Sequence, residues 1–160
     1  VYADVPNPNN YEYYKRSKTP KPAPAPKPAP GPTSGTSGDQ SLPAGQRALA
    51  AAIQSRRGVN FIEVQDAKVI DVLPDDLVGS QHQKWVVELE NGATILSVFN
   101  LDICERVPLK IGDRVSMGGQ FIWDKGGGLI HWIHKDPRGN RPDGYVELNG
   151  VRYGNIINNN

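Results

Sequence analysis

Cysteine, net charge and long apolar runs are what this 160-residue chain has least of. Its one cysteine, Cys104, has no internal disulfide partner. In a secreted chain such a thiol stays reduced or bridges two molecules, so Cys104 is a candidate for an intermolecular disulfide. No run of about 18 apolar residues is present, which argues against a helical membrane span, and no charged-then-apolar leader stands at the start. The chain begins at Val1, which reads as a processed product. The expected location is therefore secreted or extracellular, with the bacterial cell surface or periplasm as the alternative. Charge of one sign is also missing, because 18 Lys and Arg stand against 17 Asp and Glu. A net charge of +1 lacks the electrostatic footprint of a duplex-DNA binder. The length suits one ordinary domain and excludes a large multidomain enzyme.

Proline is abundant but unevenly placed, with nine of the 14 in residues 1–40. Seven of these alternate from Pro20 to Pro32 in TPKPAPAPKPAPGP. Each proline fixes φ near −65° and biases the residue before it away from helix, so the segment reads as a stiff polyproline II rod. Lys21, Lys27 and the small alanines suit an exposed stalk open to glycosylation, and TSGTSG after it is a flexible joint. Before the rod, residues 1–19 hold four of the six tyrosines: Tyr2, Tyr11, Tyr13 and Tyr14. In Tyr11-Glu12-Tyr13-Tyr14-Lys15, alternation puts Tyr11 and Tyr13 on one face, as in a strand added to the edge of another sheet. The expected divisions are a tyrosine-rich arm at 1–19, a linker at 20–40, a folded domain at 41–155 and a tail at 156–160.

The folded part opens with one helix. Ser41 is placed to cap it, Pro43 suits its first turn, and Leu42, Ala48, Leu49, Ala52 and Ile53 form its apolar stripe. Arg56 and Arg57 favour its C-terminus, where Gly58 is expected in the left-handed conformation. Strands follow at 61–74, 84–90 and 93–99. Asn91-Gly92 predicts a two-residue type I′ hairpin that sets Leu89 against Thr94, Val87 against Leu96 and Trp85 against Val98, all facing the core. A second such turn at Asn149-Gly150 pairs Leu148 with Val151, Glu147 with Arg152 and Val146 with Tyr153. Between them, Gly112-Asp113 marks a turn, and Gly118-Gly119 marks a strand bent around a barrel corner. The fold class is mainly β: a small OB-like barrel of five or six strands with one N-terminal helix, preceded by an extended proline-rich arm. A half-open β-sandwich is the competing architecture.

Candidates for chemistry are His82, His131, His134 and Asp136. Residues 131 and 134 of a regular strand point to opposite faces, so a bulge or an early strand end must intervene before both could serve one site. His134 with Asp136 makes the smallest general-base unit, yet no nucleophile stands beside them in a recognised motif. The competing reading gives Asp136 to the Asp-Pro-Arg-Gly turn and His131 to a neighbouring loop. Asp75 and Asp76, with Asn100 and Asp102 at a strand end, form a possible ligand loop, which solvated aspartates and an Asx turn explain equally well. No cofactor or metal is implied. Residues 41–160 carry 13 Lys or Arg against 14 Asp or Glu. Trp85, Phe121, Trp123 and Trp132 are therefore expected mostly in the core rather than as nucleic-acid stacking platforms, with Arg138, Arg141 and Arg152 the one basic group.

The ordered set Leu73-Pro74-Asp75-Asp76, Gly79-Ser80-Gln81-His82-Gln83, Asn100-Leu101-Asp102, Arg106-Val107-Pro108, Gly112-Asp113-Arg114-Val115, Gly127-Gly128-Leu129-Ile130-His131-Trp132 and Asp143-Gly144-Tyr145 resembles a bacterial family of small exported proteins defined by a domain of unknown function. The resemblance covers about residues 42–153. It implies a small barrel and export and brings no established reaction. Members typically read His-Trp-Thr-His-His-Asp-Pro where this chain has Ile133 and Lys135, and a histidine where it has Arg141, so two histidine positions and one threonine position differ here.

The leading expectation is a structural or interaction protein that assembles with itself or a protein partner through the arm, into a filament where the contact does not close by symmetry. The alternatives are a histidine-based or metal-dependent, nuclease-like hydrolase and a glycan-binding module.

Overall fold

A computed structural model describes residues 42–76, 79–124 and 127–157. The helix, α1, spans Ala44–Ser55. It starts directly after Pro43, which supplies no side-chain cap, while Ser41 lies outside the described residues. Its end differs from expectation. Arg56, at φ 56°, takes the left-handed position and donates its N–H to Ile53 O, so Gly58 is not the terminator. Gly58 instead lies close against the main chain of Phe121, where a Cβ would stand 3.2 Å from Phe121 O. Leu49 and Ala52 of α1 are buried in the barrel's interior cluster, whereas Ala48 is exposed and Gln46 fills its place in the buried stripe.

Seven strands follow: β1 Val59–Asp76, β2 His82–Glu88, β3 Thr94–Asn100, β4 Arg114–Asp124, β5 Gly127–His131, β6 Tyr145–Leu148 and β7 Val151–Tyr153. They form one sheet in the order β1-β2-β3-β5-β4-β6-β7, with β1 also pairing β4. That last pairing closes a five-stranded barrel of mixed direction, antiparallel except where β3 runs parallel to β5. The OB-like expectation is met, and an open sandwich is not what forms.

Closure depends on β1, whose 18 residues serve two neighbours. Residues 59–68 pair with β4 and residues 68–76 with β2, and Lys68 pairs with both. The bend comes from an irregularity between Val64 and Ala67, where Asp66 has φ 54°. An extra residue with positive φ sharpens the coil of a strand. On β4, Gly118 and Gly119 mark the place where one edge passes from β6 to β5. A Cβ on Gly118 would meet Tyr145 at 2.7 Å, so the corner is built without side chains there.

The two Asn-Gly turns behave differently. At Asn149-Gly150 both residues have positive φ and the register is the expected one. At Asn91-Gly92 only Gly92 does, Leu89 N–H donates to Ala93 O, and three residues form the loop. The register slips by one, giving Val87 opposite Ile95 and Trp85 opposite Ser97. A slip of one residue exchanges the faces of a strand. Ile95, Ser97 and Phe99 therefore share the barrel interior with Trp85 and Val87, while Leu96 and Val98 lie on the outer face with Val86.

The slip leaves Trp85 Nε1 and Ser97 Oγ opposite one another in the interior, both buried and both without a hydrogen-bond partner among the described residues. A buried hydroxyl that makes no hydrogen bond costs stability. Ser97→Ala is expected to be neutral or to stabilise by up to about 1 kcal/mol in urea unfolding. A loss larger than that would show the hydroxyl to be paired.

Candidate functional site

The residues that carry the family resemblance gather largely where β1 passes to β2 and β3 leaves the sheet. Gln83 is 3% exposed and lies in phase with Trp85, an unusual position for an amide. It grips the loop after β3 by both main-chain polar groups of one residue, with Nε2 donating to Val107 O at 2.8 Å and Oε1 accepting from Val107 N at 2.9 Å. Next door, Arg106 holds both carboxylate oxygens of Asp75, with Nη1 3.1 Å from Oδ1. Asn100 Oδ1 accepts from Asp102 N, and Asp102 Oδ1 accepts from Gln81 N at 3.2 Å. Asp75, Asn100 and Asp102 thus serve as fasteners of two loops. Asp76 ends β1 opposite His82.

The Arg106 hydrogen bond holds the Asp75 carboxyl below its ordinary range, against a smaller opposing effect of burial. A carboxylate whose folded pKa is depressed stabilises the fold above its unfolded pKa of about 4, and that contribution is lost as pH falls through the lower folded value. Arg106 is exposed and Asp75 half-buried, so solvent screens the pair and its worth is about 1 kcal/mol. In thermal melts from pH 7 to pH 2, Asp75→Asn should be slightly less stable than the parent at neutral pH and equal to it in acid. A difference independent of pH would show that the ion pair contributes nothing.

The histidines do not converge. β5 ends at His131 and Trp132 follows with φ 54°, which is the early strand end that a shared site would require. Even so, His131 Nε2 faces Gln120 Oε1 at 2.7 Å, while His134 Nδ1 lies 2.7 Å from Lys135 O. The His134 ring stands edge-on to Phe99, an interior residue, at 6.4 Å. His82 pairs in register with Asn100 on the outer face. His131 shares that face through the β3–β5 pairing, but β3 separates the two backbones by about 10 Å. Asp136 accepts from Arg138 N and Asn140 N, both at 3.0 Å, so its carboxylate builds the turn, and those bonds hold its pKa low. Among the described residues no three His, Cys, Asp or Glu are placed to hold a metal ion.

Aromatic platforms are largely used up. Trp85 and Phe121 are fully buried, the Arg141 guanidinium lies 4.6 Å from the Trp132 ring, and Arg56 lies 5.6 Å from Trp123. Arg152 sits over Tyr145, so two of the three clustered arginines face rings. Burial pushes the Tyr145 phenol up to about 12, helped by its hydrogen bond to Glu63. Cys104 is 2% exposed in the main core, and its backbone forms an isolated antiparallel bridge with Ile156. A disulfide to a second molecule would require the thiol to be uncovered. Ile157 N–H also donates to Ile103 O, so the folded unit runs past the expected boundary at residue 155. Tyr2, Tyr11, Tyr13 and Tyr14 lie outside the described residues.

Sequence reasoning missed Gln46, Gln83 and Gln120. The available signal was a polar residue in the apolar phase, as with Gln46 in the series Leu42, Leu49 and Ile53. Two larger features also emerge. One is the outer face of β2, β3 and β5, where Val86, Leu96, Val98 and Leu129 are 0–1% exposed. The other is the edge of β7, with Val151 52% exposed beside a groove of about 500 Å³ lined by Glu105, Arg152 and residues to Ile157.

No curated protein and no solved structure matches the chain. A family model does match, over residues 35–154, three quarters of the chain and all the loops just described. By that match the chain belongs to the family described as "Protein of unknown function (DUF3465)".

Proposed function

We propose that this is an exported structural and interaction protein, a barrel subunit joined to its neighbour by strand addition of the N-terminal arm onto β7. The observation that carries the reading is the open edge of β7. Each of β1 to β6 pairs with at least two other strands, whereas β7 pairs only with β6 among the described residues. Closure removes edges from a barrel, and a remaining edge is a template for another strand.

The hairpin geometry says which groups are available. In a two-residue hairpin the pair flanking the turn is hydrogen-bonded and the next pair is not. Val151 therefore bonds to Leu148, while the N–H and C=O of Arg152 point away from β6 toward the open edge. An incoming Tyr11-Glu12-Tyr13-Tyr14-Lys15 segment would set Tyr11 and Tyr13 beside Val151 and Tyr153, with Glu12 near Arg152 and Lys15 near Glu105. Donor and acceptor are different surfaces of one chain, so the contact is heterologous, and copies that do not close by symmetry extend into a filament.

Arg152→Pro tests this in the full chain. Proline is tolerated at strand edges and here removes an outward-facing N–H, while Arg152→Ala keeps it. Light scattering and negative-stain microscopy should show assemblies for the parent and Arg152→Ala, and monomers for Arg152→Pro and for a chain lacking residues 1–19. A parent that is monomeric at every concentration would sink the proposal.

A further inference from the structure

The chain places glycine directly after an Asn or Asp at Asn91-Gly92, Asp143-Gly144 and Asn149-Gly150. Such a pair can cyclise without an enzyme, because the glycine nitrogen, with no Cβ beside it, reaches the preceding side-chain carbonyl carbon. The fold treats the three differently. Gly144 is buried and its N–H donates to His134 O, so the nitrogen at that site is held away from Asp143. At Asn91-Gly92 both reacting groups are engaged: Gly92 N–H donates to Leu89 O at 2.9 Å, and Asn91 Oδ1 accepts from Ala93 N at 3.0 Å. Gln46 Oε1 also holds Glu90 N, so that turn is clamped from the helix. Asn149 and Gly150 are exposed, and among the described residues neither the Asn149 side chain nor the Gly150 N–H has a hydrogen-bond partner.

We propose that Asn149 is a site of spontaneous deamidation in the folded protein, and that Asn91 and Asp143 are protected from the same chemistry. The Gly150 N–H gives its proton to base, the nitrogen bonds to Asn149 Cγ, and the Cγ–Nδ2 bond breaks to release ammonia. Water then opens the succinimide. Cleavage of the nitrogen–Cγ bond leaves aspartate, and cleavage of the nitrogen bond to the main-chain carbonyl carbon leaves isoaspartate, with one water consumed and one ammonia released overall. Cyclisation needs Asn149 to leave its turn conformation at φ 52°. The hairpin allows it, since β7 has three residues and pairs only with β6 among the described residues, and such an edge opens locally at low cost. Isoaspartate lengthens the main chain by one carbon inside a two-residue loop whose geometry sets the register. The Leu148–Val151 pairing then no longer fits, and the β7 edge is altered. An effect on assembly rests on the strand-addition reading, whereas the modification itself does not.

Incubation of the full chain in mildly alkaline buffer tests this, with pepsin digestion at low pH and peptide masses as the readout. Asn149 should convert severalfold faster than Asn91, Asp143 should stay unchanged to an isoaspartyl methyltransferase assay, and in guanidinium the two asparagines should convert at similar rates. Equal rates in the native protein, or a lead for Asn149 that persists undiminished in guanidinium, would overturn the proposal. Asn149→Gly keeps a residue suited to positive φ and removes the reactive amide. Aged parent should lose the assemblies that fresh parent forms, while equally aged Asn149→Gly keeps them. Aged parent that carries isoaspartate and still assembles would overturn the consequence for β7. Where fresh parent never assembles, strand addition has failed and the peptide masses still decide the modification.

Discussion

Gly144→Ala should lower the stability of the barrel by about 3 kcal/mol, the upper end of what one added methyl group costs in a tightly packed site. A Cβ at position 144 would run into Trp132 O, and would stand 2.7 Å from His134 N and 2.8 Å from Gly118 O. All three are backbone atoms, so no rotamer change relieves the clash. The crowding has a purpose, since Gly144 N–H donates to His134 O and the chain enters β6 directly afterwards. In a domain of this size the expected fall in melting temperature is roughly 12 °C. Gly139→Ala is a useful contrast. Nothing lies within 4 Å of a Cβ there, and its φ of 68° makes the cost one of backbone conformation alone. A Gly144→Ala loss no larger than that of Gly139→Ala would show that β6 can shift to make room.

Gln46→Leu should destabilise by a similar amount, about 3 kcal/mol, through a different route. The side chain is fully buried and makes three hydrogen bonds to backbone. Nε2 donates to Gln65 O at 3.0 Å and to Asp66 O at 3.1 Å, at the bend of β1. Oε1 accepts from Glu90 N at 2.9 Å, at the start of the β2–β3 loop. Leucine fills the same space but takes the side-chain partner from Gln65 O and Glu90 N–H, while Asp66 O keeps its hydrogen bond from Arg114 Nη1. Each group left unpaired costs about 1–3 kcal/mol less whatever relief water provides. Guanidinium unfolding at neutral pH would measure the loss. A change below 1 kcal/mol would mean that the bend and the loop hold without the helix.

Both predictions concern residues that hold backbone to backbone, and much of the family signature does the same. Gln83 clamps Val107, Arg106 clamps Asp75, Asp102 holds Gln81, and Asp113 Oδ2 accepts from Lys110 N at 2.9 Å. Polar residues at loop ends in a single sequence suggest catalysis and loop closure equally. Only their partners tell the two apart, and here those partners are main-chain atoms or each other.

What the sequence determined by itself was local. The Asn149-Gly150 turn and its register, the helix position, the glycine corner of β4 and the barrel class all rest on contacts or conformational preferences within a few residues, or on the count of strands. The tertiary structure decided what local preference leaves degenerate. Asn91-Gly92 carries the same turn signal as Asn149-Gly150, but β3 is apolar on both faces, so alternation is silent about which of Leu96 and Ile95 points inward. Gln46, reaching 44 residues along the chain to Glu90 N, and closure of the barrel determine that register. The separation of His82, His131 and His134 was likewise beyond local pattern. It follows from which strands neighbour β3, from the positive φ at Trp132 and from barrel closure, and those are properties of the whole sheet.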